Sequence, residues 1–472
     1  MPLFERIDIK TASQSSWDVI IAGSSFSAMF FLRGLPSTYR VLVVEKGVYI
    51  PHSQQLIDSY IQNDPFSHDN RSGRAKTWVA RTAFGGNSNC WWGQVPRFLP
   101  TDFETSSDHG IGAPWPIGYD ALEPFYAEVE EIMQVAGGGT EHLLPRSRPF
   151  PFPPHAMTRA GAACHEARPN DWVPVATARS NGGSRASCCG TGVCDLCPID
   201  AKFTVENSVG TFTRAGVYLL TGHEVSRIDI AAGAAGGVVV SHGEAEVEIK
   251  ADTVALAANG IYNAAILLRS GVAHPALGRY LNEQNSVRLV LDVDHEGYFG
   301  GSSISTHCYA FYDGPHRNSR AAVLIEDMNA PAKLRHERGR WTHRMILKLI
   351  AEDVPDAGNR IDLDGDGEPL ITWNGHSAYS AAGLAAAEEQ LQDILPFAIE
   401  RIVSRDHGDG EAHIQGTHRM GRDPATSVTD DSMRLHQTPN LLALGSGSFP
   451  TCPPANPTLT LSALALRAGR LM

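Results

Sequence analysis

The chain has 472 residues, enough for roughly two or three hydrophobic cores, and its 42% apolar and 19% charged residues exclude a disordered chain. With 39 basic against 52 acidic residues the formal charge is −13. That balance argues against a nucleic-acid surface and fits a solvated acidic exterior or a cationic small molecule. No apolar run reaches the roughly 18 residues of a membrane-spanning helix. The first residues lack a basic segment followed by an apolar run, so the expected location is cytoplasmic, with export on a partner's signal left open.

In chain order, WDVIIAGSSFSAMFFLRGL (17–35) is an apolar strand, a turn of small residues and the start of an apolar helix. VLVVEKG follows as a second buried strand ending in Glu45. A dinucleotide-binding unit needs this order: a tight turn, close backbone approach to a pyrophosphate, a helix N-terminus for its charge and an acid for the ribose hydroxyls. Gly23 is present, followed by Ser24, but Ser25 and Ala28 stand where further glycines would be. RTAFGGNSNCWWGQVPRF (81–98) joins a Gly-Gly turn to small polar residues and paired tryptophans, a loop able to lie over a cofactor. Asp120 reads as the N-cap of an amphipathic helix.

SCCGTGVCDLCPIDAKFT (187–204) places Cys188, Cys189, Cys194 and Cys197, half of the eight cysteines, in one Gly-rich loop. A tight cluster points to a metal site more than to a disulfide framework, and adjacent thiolates suit iron–sulfur better than zinc. Free thiols or a local disulfide are the bland alternative. Cys164 and His165, upstream, are not needed as ligands. Strands and a helix return in HEVSRIDI, VVVSHGEAEVEIKADTVALAANG and IYNAAILLRSG. NRIDLDGDGEPLITW opens like a calcium loop, but counting from Asp362 the twelfth position is Trp373 instead of Glu, so a hairpin of NRIDL and PLITW is expected. The tail, EAHIQGTHRMG and then NLLALGSGSFPTCPPANPTLTLSALALR, ends in an apolar helix for which Asn456 reads as N-cap and Pro457 as the first helical residue.

Taken together these segments resemble the glucose–methanol–choline (GMC) family of FAD-dependent oxidoreductases. VIIAGSSFSA with VLVVEKG resembles its FAD fingerprint, FGGNSNCWWG its flavin-covering motif, and HIQGTHRMG, NLLALGSGSFPT and ANPTLTLSALALR its C-terminal signature. GGNSNCWWG, WPIGYDALEPFY and CCGTGVCDLCP look closest to the catalytic subunits of bacterial sugar dehydrogenases in the family.

The resemblance implies an α/β fold: a Rossmann-like FAD-binding domain built from discontinuous segments, plus a substrate domain with an antiparallel sheet. The expected division is 1–97, 201–280 and 406–472 for FAD, 98–200 for a cap segment with the cysteine loop, and 281–405 for substrate. It implies His413 and Asn456 as the catalytic pair and His418 as a structural residue. FAD contacts are expected from Gly23, Ser24, Ser25, Ala28, Glu45, Gly86, Asn87, Asn89, Cys90, Trp91, Val225, Ala258, Ser446, Pro457 and Thr458. Cys90 falls where some relatives attach the flavin covalently; non-covalent FAD is the expectation. Cys188, Cys189 and Cys194 match ligands of a three-iron (3Fe-4S) cluster, with Cys197 spare or fourth. A small subunit and an electron-accepting protein would then be partners.

The implied reaction is oxidation of a CH–OH group of a sugar, glycoside or polyol by hydride transfer to flavin N5. His413 would act as base, and Asn456 would hold the substrate oxygen or merely cap its helix. The alternatives are an alcohol oxidase using oxygen on a natural product such as an aminoglycoside, a non-redox lyase of the family, and, most distant, an electron carrier.

Overall fold

The computed structural model describes residues 4–58, 64–192, 194–243, 245–296, 300–329, 341–408 and 410–472. Two sheets organise it. In the first, strands Val217–Thr221, Val41–Glu45, Trp17–Ala22 and the second half of Ala245–Leu256 lie side by side and parallel. Thr438–Ala443 also pairs in parallel with the end of Ala245–Leu256. The first half of that long strand belongs to an antiparallel meander with Ala234–His242 and Glu224–Ala231.

Parallel strands are apolar on both faces because both are covered. Val19, Ile21, Val41 and Val43 enter one core, while Ile20, Leu42, Val44 and Leu256 enter the other. The sheet is thus completed by three stretches far apart in sequence.

Trp17–Ala22 turns at Gly23, whose φ is +101° and where an added Cβ would lie 2.6 Å from the carbonyl oxygen of Ala257. No other residue type fits that close approach. Helix Phe26–Gly34 follows and packs on the last helix, Thr458–Arg470. Their contact is backbone to backbone: a Cβ on Gly34 would come within 2.5 Å of the Leu466 carbonyl oxygen.

The second sheet is antiparallel, in the order Ile399–His407, Asn285–Val293, Arg344–Ala351, Val323–Met328, Ile304–Phe311, Trp172–Pro174. One face, with Val287, Leu289, Ile325, Leu347 and Leu349, packs on Leu384 and Ala387 of helix Ala378–Glu389. The register pairs His307 with Glu326, and Glu326 with Lys348, so a polar row crosses the opposite face.

NRIDL and PLITW form the expected hairpin, Arg360–Leu363 with Pro369–Trp373, and Asp364 closes its turn by accepting from the backbone N–H groups of Asp366 and Glu368. Two cap readings are corrected. Helix Tyr119–Met133 takes Gly118 as its N-cap, so Asp120 lies inside the first turn, where its charge suits the helix dipole. The last helix starts at Thr458 with Pro457 in the cap position and no side-chain cap, so Asn456 does not cap it. Among the described residues no helix is long and apolar enough to cross a membrane.

Candidate active site and cofactor groove

At the carboxyl ends of the parallel strands lies a void of about 790 Å³, lined by Gly23, Ser24, Ser25, Glu45, Gly86, Asn87, Val225 and Ala258. Ser25 stands in the N-cap position of helix Phe26–Gly34 without making a side-chain cap, which leaves the first-turn N–H groups for a ligand anion. Glu45 is buried. Its Oε2 accepts from the Ser24 hydroxyl at 2.5 Å and its Oε1 from the Gly47 N–H at 2.7 Å. Burial raises its pKa; those donors oppose the rise.

A second void, about 1650 Å³ and open to solvent, shares Ser25, Asn87, Ala258 and Asn259 with the first, so the two are continuous. Cys90, Trp91, Ser446, Pro457, Thr458, His413 and Asn456 line it. Of the expected cofactor contacts, Ala28 and Asn89 line neither void. Ala28 is fully buried within its helix, and Asn89 donates to the Phe84 carbonyl and accepts from the Glu206 N–H.

An elongated dinucleotide carrying a flavin fits this groove. Gly23 lets the turn that lines it pass close to the Ala257 backbone, a helix N-terminus faces its middle, and Glu45 sits in the void at its far end.

The catalytic end is built around His413. Gln284, fully buried, donates from Nε2 to the carbonyls of Pro453 and Ala455 at 2.9 and 3.2 Å. Its Oε1 must therefore be the acceptor facing His413 Nδ1 at 3.0 Å. That contact puts the proton on Nδ1 and the lone pair on Nε2. Burial lowers the pKa of His413, outweighing Glu411 and Glu283 nearby, so the ring is neutral at neutral pH. Asn456 is buried, with its Oδ1 unpartnered among the described residues.

His418, five residues on in sequence, is enclosed against Gly447, where an added Cβ would strike its ring. It is bonded through Nδ1 to Thr417, and burial drops its pKa to about 4. It has no access to the cleft. Gln284 carried no motif of its own in the sequence and is legible only through its contact with His413.

Three carboxylates lie near His413, two of which, Glu326 and Glu411, line the cleft. Glu283 pairs with Lys76 and accepts from the His413 N–H, and Glu411 pairs with Lys348 at 2.5 Å and accepts from the Ser286 hydroxyl. Glu326 is the third.

The four cysteines share one loop, helped by left-handed Gly190 and Gly192. Cys188 is half-buried, Cys189 exposed, and Cys194 and Cys197 buried. Their sulfurs face different partners: Cys194 the Ser303 hydroxyl at 2.9 Å, Cys197 the Ala201 N–H at 3.3 Å, Cys189 the Thr191 hydroxyl at 3.7 Å. Among the described residues no three His, Cys, Asp or Glu side chains are disposed to hold a metal ion. In this arrangement the thiols do not close a cluster site, and no step below passes through one. Lys202 ties the loop to the groove, donating to the carbonyls of Trp91 and Cys194 at 2.6 and 2.5 Å, and burial lowers its pKa to about 8.

Two family models, both described as GMC oxidoreductase, match residues 18–285 and 332–465. The fructose dehydrogenase large subunit of Gluconobacter japonicus is 26% identical over 82% of this chain and 79% of its own. Paromamine 6'-oxidase of Streptomyces fradiae is 27% identical over 96% of this chain and 91% of its own. The crystal structure of pyridoxine 4-oxidase from Mesorbium loti superimposes with a TM-score of 0.70 over 96% of this chain and 99% of that one; at 16% identity it speaks for the fold alone.

Proposed function

We propose, from the premise that this chain belongs to the GMC oxidoreductase family and uses FAD, that it oxidises a CH–OH group of a sugar, glycoside or related polyol. The observation that carries the reading is a histidine whose tautomer is fixed by Gln284, lining the same cleft as Asn456, whose amide oxygen is unpartnered among the described residues. The substrate class draws support from relatives named for fructose and for paromamine.

FAD, when bound, supplies the acceptor for the hydride. His413 Nε2 takes the hydroxyl proton, and Gln284 holds the ring so that the lone pair stays on that atom. Asn456 offers its amide to the substrate oxygen and fixes its position. A displacement of about 1 Å there costs on the order of a hundredfold in rate. The buried pair Glu283–Lys76 and the half-buried pair Glu411–Lys348 brace the segment that carries His413.

The test is His413→Ala. The variant is expected to retain yellow bound FAD and to lose anaerobic bleaching by substrate by about a hundredfold or more. Normal bleaching in the variant refutes the role of His413, and no substrate-dependent bleaching in the parent protein moves the reading to a non-redox member of the family.

The electron acceptor is a separate measurement. Peroxide formed in air marks oxygen as acceptor. Iron with acid-labile sulfide in the purified protein marks a cluster on Cys188, Cys189 and Cys194, with Cys197 spare or fourth, and calls for an electron-accepting protein partner.

A further inference from the structure

The cleft contains a charged hydrogen-bond donor that the protein itself uses only in part. Strand Arg344–Ala351 sends Met345, Leu347 and Leu349 into the core beneath the second sheet, so Lys348, out of step with them, rises from the face that meets the cleft. Its side chain is 26% exposed, and among the described residues it is the one lysine or arginine lining that cleft. Its ammonium donates to Glu411 at 2.5 Å and, among the described residues, to nothing else. Burial works against the Lys348 charge, but Glu411 and Glu326 outweigh it and keep the amine protonated. Burial first, and the Lys348 charge after it, lower the pKa of His413, which sets the ammonium within electrostatic reach of the ring.

An ammonium carries three N–H bonds. Glu411 takes one, and the other oxygen of that carboxylate is anchored by the Ser286 hydroxyl. The remaining N–H bonds belong to a partly exposed cation and are left for what enters the cleft. The two sides of the site are therefore complementary: His413 Nε2 accepts from the reacting hydroxyl, and Lys348 offers a donor to an oxygen that does not react. Because Glu411 offsets the charge, the pair suits the lone pair of a neutral oxygen better than an anion.

We propose that Lys348 is a specificity residue whose ammonium donates to a hydroxyl oxygen on the carbon next to the one oxidised, so that the enzyme selects glycosides carrying that vicinal hydroxyl. This rests on the sugar-alcohol reading above. A lysine that only braced the His413 segment through Glu411 would affect all substrates alike, whereas one that touches the substrate discriminates between a compound with the vicinal oxygen and the same compound without it.

The experiment uses anaerobic, dithionite-reduced holoenzyme, which can bind substrate but not oxidise it. It is titrated calorimetrically with the methyl glycosides of glucose, galactose and mannose and with their monodeoxy derivatives. For at least one glycoside, removal of one hydroxyl is expected to weaken binding about tenfold or more through the lost bond to a charged donor. Lys348→Met should bring that derivative and its parent glycoside to within about twofold of each other, while the penalty for removing the reacting hydroxyl, which His413 reads, persists. Lys348→Met/Glu411→Gln removes both charges of the pair and carries the same test if the single variant loses its flavin. Lys348→Arg, which keeps the charge, should retain part of the discrimination. An equal loss of affinity for every compound overturns the proposal, as does a hydroxyl preference that survives in flavin-loaded Lys348→Met, or a parent protein that binds none of the glycosides. Anaerobic bleaching of the oxidised enzyme by the same compounds tests the function separately. A Lys348-dependent hydroxyl preference without bleaching upholds the contact and sinks the oxidation reading, and bleaching with preferences indifferent to Lys348 does the reverse.

Discussion

The two sheets bury their faces by opposite means. In the parallel sheet Val19, Ile21, Val41 and Val43 on one side, and Ile20, Leu42 and Val44 on the other, meet apolar cores, and chemistry occurs only at the strand ends. The antiparallel sheet has one such face. Its other carries buried His307 and Glu326 beside half-buried Lys348, and Glu326 and Lys348 line the cleft. The difference teaches that the first sheet fixes a groove by shape, while the second furnishes a wall by charge. Damage to the first should therefore read as a packing fault, and damage near the second as an electrostatic one.

The comparison can be broken most severely at Gly23. Gly23→Val places a branched side chain at a left-handed φ and against the Ala257 carbonyl. Complete loss of FAD after purification is expected, measured as the flavin-to-protein absorbance ratio; normal flavin content would deny the shape role of that turn. Arg317→Met is next. It removes the cation that serves Glu352 at 2.7 Å and Asp102 at 3.5 Å, leaving both carboxylates buried. Such a change costs about 3–5 kcal/mol, to be read as a fall in thermal midpoint.

Gln284→Leu should keep FAD and lower the bleaching rate by about ten- to hundredfold, because the His413 ring loses the contact that fixes its tautomer and position. The pH profile sharpens the same point. The base works when neutral, and burial lowers the His413 pKa, so activity should stay flat above neutrality and fall only as pH drops through a value under about 6.5. An acid limb at or above about 6.5 would contradict the burial effect. Arg148→Ala, which removes an exposed pair with Glu131, should shift stability by less than about 0.5 kcal/mol and leave bleaching untouched.

What the sequence made legible follows the same division. Trp17–Ala22, the Gly23 turn and Val41–Glu45 announce themselves because a doubly covered strand must be apolar throughout and the turn must lack a Cβ. The Arg360–Leu363 and Pro369–Trp373 hairpin was readable from turn chemistry alone. Glu326, Lys348 and Gln284 were not. Each gains its meaning from a partner set by register or by a fold crossing, such as Glu326 opposite Lys348 or Gln284 against residue 413, and no local pattern encodes either.

The cap reading of Asp120 missed by two residues and that of Asn456 by one, since N-cap preference alone does not fix where helical geometry starts. The cysteine loop was legible as a cluster of residue types, but spacing did not determine where each sulfur points.

The contact between Gly34 and the helix Thr458–Arg470 has a consequence for the order of events in the cell. The helix that begins the groove is made early, but its packing partner, and Pro457 and Thr458 at the far end of the same groove, lie some four hundred residues later. A chain synthesised only as far as the antiparallel sheet cannot assemble both jaws of this caliper, because the strand Thr438–Ala443 and the helix after it are still to come. The complete groove therefore exists only once Thr458–Arg470 has been made, and until then the Phe26–Gly34 helix lacks the surface on which it finally rests.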